Sequence, residues 1–178
     1  MKILCLSDTH YEREALENIT NRYLNYELFI HCGDSDLKKD DPLLIKYHVV
    51  RGNHDVVNFD LEKQLIINHK KILIVHGHLY DLYHSYDQLK NYMIDQNIDI
   101  CFHGHTHIPA LIHFDNRIII NPGSTLINRA TYGFGTYACI ELTQNIEVKF
   151  YHATKHYECT KLVLEDGESM LQQFYNLK

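Results

Sequence analysis

The 178-residue sequence has no excess of basic charge and no apolar run that approaches the length of a membrane span. Seventeen Lys and Arg stand against 23 Asp and Glu, so the formal net charge is −6 with neutral His. Binding of long nucleic acid or of an anionic membrane needs a basic face, and the charge balance argues against both partners. A spanning helix needs roughly 20 apolar residues in a row, which excludes that class of protein too.

Closely spaced cysteines are also absent. The five cysteines are Cys5, Cys32, Cys101, Cys139 and Cys159, an odd number without a C-x-x-C pair. Three of them lie in apolar, strand-like segments, where a free thiol behaves as a small hydrophobe. A disulfide framework is therefore disfavoured and a reducing compartment is expected. The apolar stretch before Ser7 is too short for a secretory signal, so we expect a soluble, cytoplasmic protein.

Proline and glycine are scarce, with three and eight residues, and no linker, repeat or low-complexity segment divides the chain. With 45% hydrophobic and 22% charged residues, the composition is that of a globular protein. The length suits one domain, which we predict to extend over 1–178.

Apolar runs alternate with segments of helical periodicity in the first half of the chain, and hairpins follow in the second half. Strands are predicted at 2–7, 27–32, 47–51, 64–68, 71–76, 98–103, 110–114, 117–121, 136–142 and 146–152. Helices are predicted at 12–24 and 85–97, with a short tail helix from about residue 165. This order indicates an α/β architecture with mixed sheets.

Histidine, in contrast, is abundant, with 14 residues. His, Asp and Asn cluster just past the carboxyl ends of five apolar runs. The clusters are Asp8-Thr9-His10, Gly33-Asp34, Asn53-His54-Asp55, His76-Gly77-His78 and Gly104-His105-Thr106-His107. Ligands of open α/β sheets bind at this edge, so we expect the clusters to meet in one site.

The residue types in these clusters are those of a metal site. Imidazole, carboxylate and amide oxygen suit Mn, Fe, Zn or Co, and the set lacks the thiolates of a structural zinc site. Residues two apart in an extended segment point the same way, so D-x-H and H-x-H pairs reach one ion or two adjacent ions. The turn at Gly33-Asp34 makes Asp34 the candidate for a carboxylate that bridges two ions.

Each cluster alone also fits an ordinary role, since Ser7, Asp8 and Thr9 are good helix N-caps and Gly33-Asp34 is a common turn. Two other metallohydrolase classes are alternatives. Amidohydrolases place H-x-H at the end of the first strand, where this chain has Asp8-Thr9-His10. Metallo-β-lactamase-like enzymes use H-x-H-x-D-H, and the run GHTHIPAL does not continue in that way. The chain therefore differs from both classes, which favours a different kind of metallohydrolase.

The ordered set SDTH, GD, GNHD, HGH and GHTH, followed by NPGS, resembles the calcineurin-like metallophosphoesterase superfamily over roughly residues 1–125. Within it, the run VHGH…GHTHIP…NPGS resembles a small prokaryotic phosphodiesterase branch, which is similar to the retromer scaffold subunit. The resemblance implies two mixed β-sheets packed face to face with helices outside, a four-layer α/β/β/α sandwich. The motifs would lie within 8–124, with C-terminal strands and a short tail helix at 136–178.

The resemblance also implies a ligand set for two divalent ions. One ion would be held by Asp8, His10, Asp34 and His107, and the other by Asp34, Asn53, His76 and His105, with Asp34 as the bridge. Manganese is the first expectation for both ions, with Zn, Fe, Ni, Co and Mg as alternatives.

The implied reaction is in-line attack of a metal-bridging hydroxide on a small phosphate ester, with diesters preferred over monoesters. His54 would protonate the leaving group or stabilise a phosphoryl oxygen, with Asp55 placed to orient it. Asn53 and His78 are further candidates for substrate contact. In the small branch the position of His54 is often Cys, so His favours catalysis over the alternative, a catalytically weak metal-binding scaffold for protein partners. A homo-oligomer is compatible with the sequence. Arg51 and Arg129 are candidates for phosphate contact, but surface or structural pairs are the expectation for both.

Overall fold

The computed structural model describes residues 1–176 and contains ten strands and three α-helices within that range. The strands are β1 (Lys2–Leu6), β2 (Leu28–His31), β3 (His48–Val49), β4 (Glu62–Ile67), β5 (Lys70–Val75), β6 (Ile100–Phe102), β7 (Ala110–Phe114), β8 (Arg117–Asn121), β9 (Thr136–Leu142) and β10 (Ile146–His152). The helices are α1 (Arg13–Arg22), α2 (Asp87–Asp95) and α3 (Thr160–Asn176). Each predicted element is present, and the strand predicted at 47–51 contracts to two residues.

The ten strands form two mixed sheets of five. The first has the order β10-β9-β1-β2-β3, in which β1, β2 and β3 are parallel and β9 and β10 are antiparallel additions. The second has the order β4-β5-β6-β8-β7, with β5, β6 and β8 parallel and an antiparallel strand at each edge. The carboxyl ends of the parallel strands carry the five polar clusters.

The apolar core has three parts, which correspond to the gaps between four layers. Between the sheets lie alternate residues of the central strands, among them Ile3, Ile30, Ile74, Phe102 and Ile120. The residues between them face outward, where Leu4 packs with α1 and Leu73 packs with α2 and α3. Strands buried on both faces read as continuous apolar runs, which is why β1 and β5 were clear in the sequence. The predicted α/β/β/α arrangement is confirmed.

The tail helix is longer than predicted, because α3 begins at Thr160 rather than near residue 165. Val163, Gly167 and Leu171 form its buried stripe, and Val163 packs into the core between the sheets. A side chain at Gly167 would run into the carbonyl group of Pro109, so glycine permits the close approach. Tertiary packing therefore sets the beginning of the helix, and the local sequence contains no signal that marks it. Residues 177–178 of the predicted tail lie outside the described residues, and the single domain over 1–178 stays a prediction.

None of the helices within residues 1–176 has the length and apolar character of a bilayer span.

Candidate metal centre

Five of the seven predicted metal ligands have a left-handed backbone. They are Asp8, His10, Asp34, His105 and His107, with φ between 43° and 75°. Only a few per cent of non-glycine residues adopt this conformation, and Asp, Asn and His do so most readily. Such strained residues concentrate at functional sites, where the surrounding structure holds them in place. Here the conformation turns the chain back at the strand exits and aims the ligand side chains at one point.

The first ligand group consists of Asp8, His10 and His107, whose ligand atoms lie within 4.8 Å of one another. His107 Nε2 is 3.2 Å from Asp8 Oδ1 and 3.4 Å from His10 Nε2. The two histidines are partly exposed, whereas Asp8 is fully buried. We call this set the outer group.

The second set, here the inner group, consists of Asp8, Asp34 and His76, and all three residues are buried. His76 Nε2 lies 3.2 Å from Asp34 Oδ2 and 3.9 Å from Asp8 Oδ1. His76 Nδ1 donates to the carbonyl of Cys32 at 2.6 Å, so Nε2 is the nitrogen that faces the carboxylates. Asn53 Oδ1 is 3.2 Å from the same Nε2 and adds an amide oxygen to the set.

The residues of both groups fit a divalent cation. Asp8 Oδ1 is buried and, among residues 1–176, accepts no well-formed hydrogen bond; the ring nitrogens of His107 and His76 lie 3.2 and 3.9 Å from it. Burying a carboxylate oxygen in this way is costly unless a cation balances it. Burial alone would raise the pKa of Asp8, but His107 and His76 hold that pKa well below its usual value, so the group is anionic. Burial would lower the pKa of His76, but the carboxylates of Asp34 and Asp8 raise it above its usual value. The protonated ring thus balances the same negative charges that a bound cation would balance.

His105 and His78 line the same wall of the site. The His105 ring centroid is 5.2 Å from that of His76, and its backbone N–H donates to Asp8 Oδ2 at 3.1 Å. Burial lowers the pKa of His105 to about 4, so the ring is neutral and keeps a lone pair for a ligand role. The His78 ring lies 5.2 Å from His76, and its Nδ1 is buried without a partner. Neither ring belongs to the two tight groups.

The carboxylate that the two groups share is Asp8, whereas the sequence predicts Asp34 as the bridge. Asp34 Oδ1 accepts the backbone N–H of His54 at 2.7 Å, and Oδ2 faces His76. A side chain at Gly52 would collide with Asp34 Oδ1, so glycine lets this carboxylate lie against the chain. The bridging role of Asp34 stays a prediction.

His54 stands at the mouth of the site. Its side chain is exposed, and its ring meets that of His10 edge-on with centroids 5.2 Å apart. The ring is thus next to the outer group without being part of it. Its predicted role as the group over the substrate is compatible with this position and stays a prediction.

Asp55 makes different contacts from those expected. Its carboxylate does not orient the His54 ring, because both oxygens are occupied by the neighbouring loops. They accept hydrogen bonds of 2.8–3.0 Å from the backbone N–H groups of Asp34, Ser35, Asp36 and Gly52. The predicted contact with His54 is therefore wrong. Asp55 instead ties the Gly52 loop to the turn that presents Asp34.

Asp36, which none of the five sequence clusters includes, supports His10 from behind. Asp36 Oδ2 lies 3.0 Å from His10 Nδ1, and this contact leaves Nε2 to face the ligand group. A carboxylate behind a metal-binding histidine fixes the ring and raises its basicity. The signal was the D-x-D spacing of Asp34 and Asp36, which places two carboxylates in one turn.

Residues 1–145 match the family model described as the calcineurin-like phosphoesterase superfamily domain. Among curated proteins, the probable metallophosphoesterase YsnB of Bacillus subtilis is 34% identical over 154 residues, covering 85% of this chain and 90% of that protein.

Several solved structures share the fold. A predicted phosphoesterase of Streptococcus pneumoniae superposes with a TM-score of 0.83 at 28% identity and covers 89% of this chain and 92% of its own. Vps29 of Entamoeba histolytica, determined with zinc, superposes with a TM-score of 0.71 at 19% identity and covers 89% and 96%. The latter likeness concerns the fold alone.

Proposed function

The chain belongs to the calcineurin-like phosphoesterase superfamily, and on that premise we propose that it is a dinuclear, metal-dependent hydrolase of small phosphate esters, with diesters preferred over monoesters. The observation that supports this most directly is the buried Asp8 Oδ1, which lies between two groups of nitrogen and oxygen ligands, with the ring nitrogens of His107 and His76 3.2 and 3.9 Å away. The net charge of −6 leaves long nucleic acid an unfavourable substrate.

Asp8, His10 and His107 would hold one ion, and Asp34, Asn53, His76 and His105 the other, with Asp34 as the bridge. The donor set is nitrogen and oxygen without thiolate, which suits Mn, Fe, Zn and Co, and manganese is our first expectation among them. When bound, such a pair of ions lowers the pKa of a water between them and offsets charge on the phosphoryl oxygens.

Proton donation, substrate contact and positioning of the ligands are the roles of the chain's own side chains. His54, exposed and free of the ligand groups, donates a proton to the departing oxygen of the ester. Asn53 directs its amide oxygen toward His76 and so keeps its NH2 group to donate to a phosphoryl oxygen. His78 lines the adjacent wall and is a further substrate contact. Asp55 acts as a positioning residue, because it holds the loops that carry Asp34 and Asn53.

The decisive experiment compares metal-stripped protein with protein reloaded separately with Mn, Zn, Fe, Co, Ni and Mg. Bis(4-nitrophenyl) phosphate and 4-nitrophenyl phosphate serve as diester and monoester. We expect hydrolysis only after reloading, fastest with Mn, and a higher kcat/KM for the diester. Equal hydrolysis by stripped and loaded protein would contradict the proposed function.

A catalytically weak metal-binding scaffold is the second candidate, and the likeness of fold to Vps29 is the observation in its favour. The same assay separates the two, because a scaffold binds the metals and leaves both esters intact. The presence of His54 beside the site favours the hydrolase.

A further inference from the structure

The Arg129 side chain lies close to the candidate metal centre, and within the described residues its guanidinium lies over an aromatic ring. The guanidinium of Arg129 makes no hydrogen bond or ion pair with any residue between 1 and 176, contrary to the expected surface or structural pair. Its Cζ lies 5.3 Å from the centroid of the Tyr83 ring. The Tyr83 ring in turn packs 5.1 Å from the His105 ring, and its hydroxyl donates to the His105 carbonyl at 3.0 Å. One aromatic ring therefore separates Arg129 from a predicted metal ligand.

The backbone under Arg129 is held to the site. Its N–H donates to the carbonyl of His107 at 2.8 Å. The preceding residue, Asn128, is buried, and its side-chain amide bonds to the Ser124 N–H and the Thr136 hydroxyl, each at 2.8 Å. The side chain is exposed but begins from a fixed point and lies over a half-buried ring. Such preorganisation lowers the entropic cost of binding a ligand group.

The metal centre is thus flanked by two different groups. The His54 ring contacts His10, whereas the Arg129 guanidinium lies over Tyr83, whose ring contacts His105. Only the Arg129 backbone is hydrogen-bonded to His107 of the outer group. A substrate whose leaving group faces His54 would extend its other arm toward Arg129. Among residues 1–176, no carboxylate forms an ion pair with the Arg129 guanidinium.

We propose that Arg129 determines specificity by binding a second phosphate group, carried on the arm of the substrate that does not leave. This inference rests on the proposed function and names the substrate class: phosphodiesters with an additional phosphate. The planar guanidinium donates two parallel hydrogen bonds to phosphate oxygens. Salt screens an exposed cation, so a dianionic phosphate suits it better than a carboxylate with one charge.

The test uses two diesters with the same leaving group, thymidine 5′-(4-nitrophenyl phosphate) and its 3′-phosphorylated form, with the full-length, metal-loaded protein. We expect the unaltered protein to prefer the 3′-phosphorylated form about tenfold in kcat/KM, mainly through a lower KM. Arg129→Ala abolishes this preference, and Arg129→Lys retains part of it. Tyr83→Leu, which removes the ring under the guanidinium, weakens the preference more than Tyr83→Phe.

Arg22→Ala, at the end of α1, is the control for the loss of one positive charge and keeps the preference. A preference ratio that is unchanged in Arg129→Ala, or absent in the unaltered protein, overturns the inference while the proposed function stands. Failure of the loaded protein to cleave either diester overturns the proposed function and this inference with it.

Discussion

The outer and inner ligand groups share Asp8 but are built differently. The outer group presents two partly exposed histidines, and the carboxylate of Asp36 braces His10 from behind. The inner group is entirely buried, and a backbone carbonyl, that of Cys32, braces His76. The hydrogen bond to His10 depends on the carboxylate side chain of Asp36, whereas the hydrogen bond to His76 uses a backbone carbonyl and persists when the Cys32 side chain is replaced. The inner ion should therefore be the more tightly held and the outer ion the one that exchanges with solvent.

Replacing Asp8 should remove the outer ion. We expect Asp8→Asn to lower the bound metal to about one ion per chain and kcat/KM by on the order of 10³-fold, because the outer group loses its own carboxylate and the pair of ions is broken. Elemental analysis and diester hydrolysis measure the two effects. Asp115→Asn, an exposed carboxylate on the β7–β8 hairpin, is the control.

Asp34→Asn tests whether Asp34 bridges the two ions, as the sequence predicts, or whether Asp8 is the carboxylate that both ions share, as its place in both ligand groups suggests. Loss of both ions supports the bridge, whereas loss of the inner ion alone leaves Asp8 as the only shared carboxylate. Retention of two ions in Asp8→Asn would contradict both descriptions.

His54→Ala leaves both groups intact and should affect the reaction alone. A side chain that protonates a leaving group contributes about 10²–10⁴-fold, so kcat should fall by this amount with two ions still bound. His69→Ala, in the turn between β4 and β5, is the matched control. A loss of metal in His54→Ala would show that His54 acts in one of the ligand groups.

The difference between the two braces can be measured with one pair of variants. Asp36→Asn should weaken binding of the outer ion about 10–100-fold, the usual effect of removing a carboxylate behind a metal-binding histidine. Cys32→Ala keeps the carbonyl that braces His76 and should leave the affinity of the inner ion unchanged. Titration of stripped protein with Mn²⁺ against a competing chelator gives both constants. Equal weakening by the two variants would remove the distinction between the braces.

Much of this site was predictable because its signals are local. D-x-H and H-x-H need only extended backbone to point both side chains one way, and parallel strands bring their carboxyl ends to one edge. The sequence could therefore predict that Asp8, His10, His76 and His107 meet at one edge, whereas their roles as metal ligands stay predictions. The two mixed sheets followed from the order of apolar runs and the family resemblance.

The errors arose where a contact joins distant parts of the chain. Asp55 follows His54, and proximity in sequence suggested a contact, but its carboxylate binds backbone groups about 20 residues away. The contact between His10 and Asp36 spans 26 residues. Packing of Val163 between the sheets likewise set the start of α3. None of these depends on a local pattern.

The smallest predicted effect concerns the stability of the folded protein rather than metal binding, and it involves a buried histidine next to the ligand groups. His31 is fully buried, its Nε2 lies 3.2 Å from the Thr9 hydroxyl, and its Nδ1 has no hydrogen-bond partner among residues 1–176. Burial lowers the pKa of His31 to about 4, against a usual value of 6.5, so the folded protein holds the neutral ring. Below pH 6.5 the unfolded chain takes up the proton first, and stability is lost as the pH falls from 6.5 to 4.

One such proton contributes at most about 1.4 kcal/mol per pH unit to the slope of unfolding free energy against pH. His31→Gln, which cannot take up the proton, should therefore reduce this slope in metal-free protein, even though its stability at pH 7 is lower. Urea unfolding at pH 7, 6 and 5 measures the slope for both proteins, and His69→Ala, an altered histidine in a surface turn, should keep the slope of the unaltered chain. Equal slopes for His31→Gln and the unaltered protein would show that His31 is not held neutral behind the site, and the acid sensitivity would then belong to the ligand groups themselves.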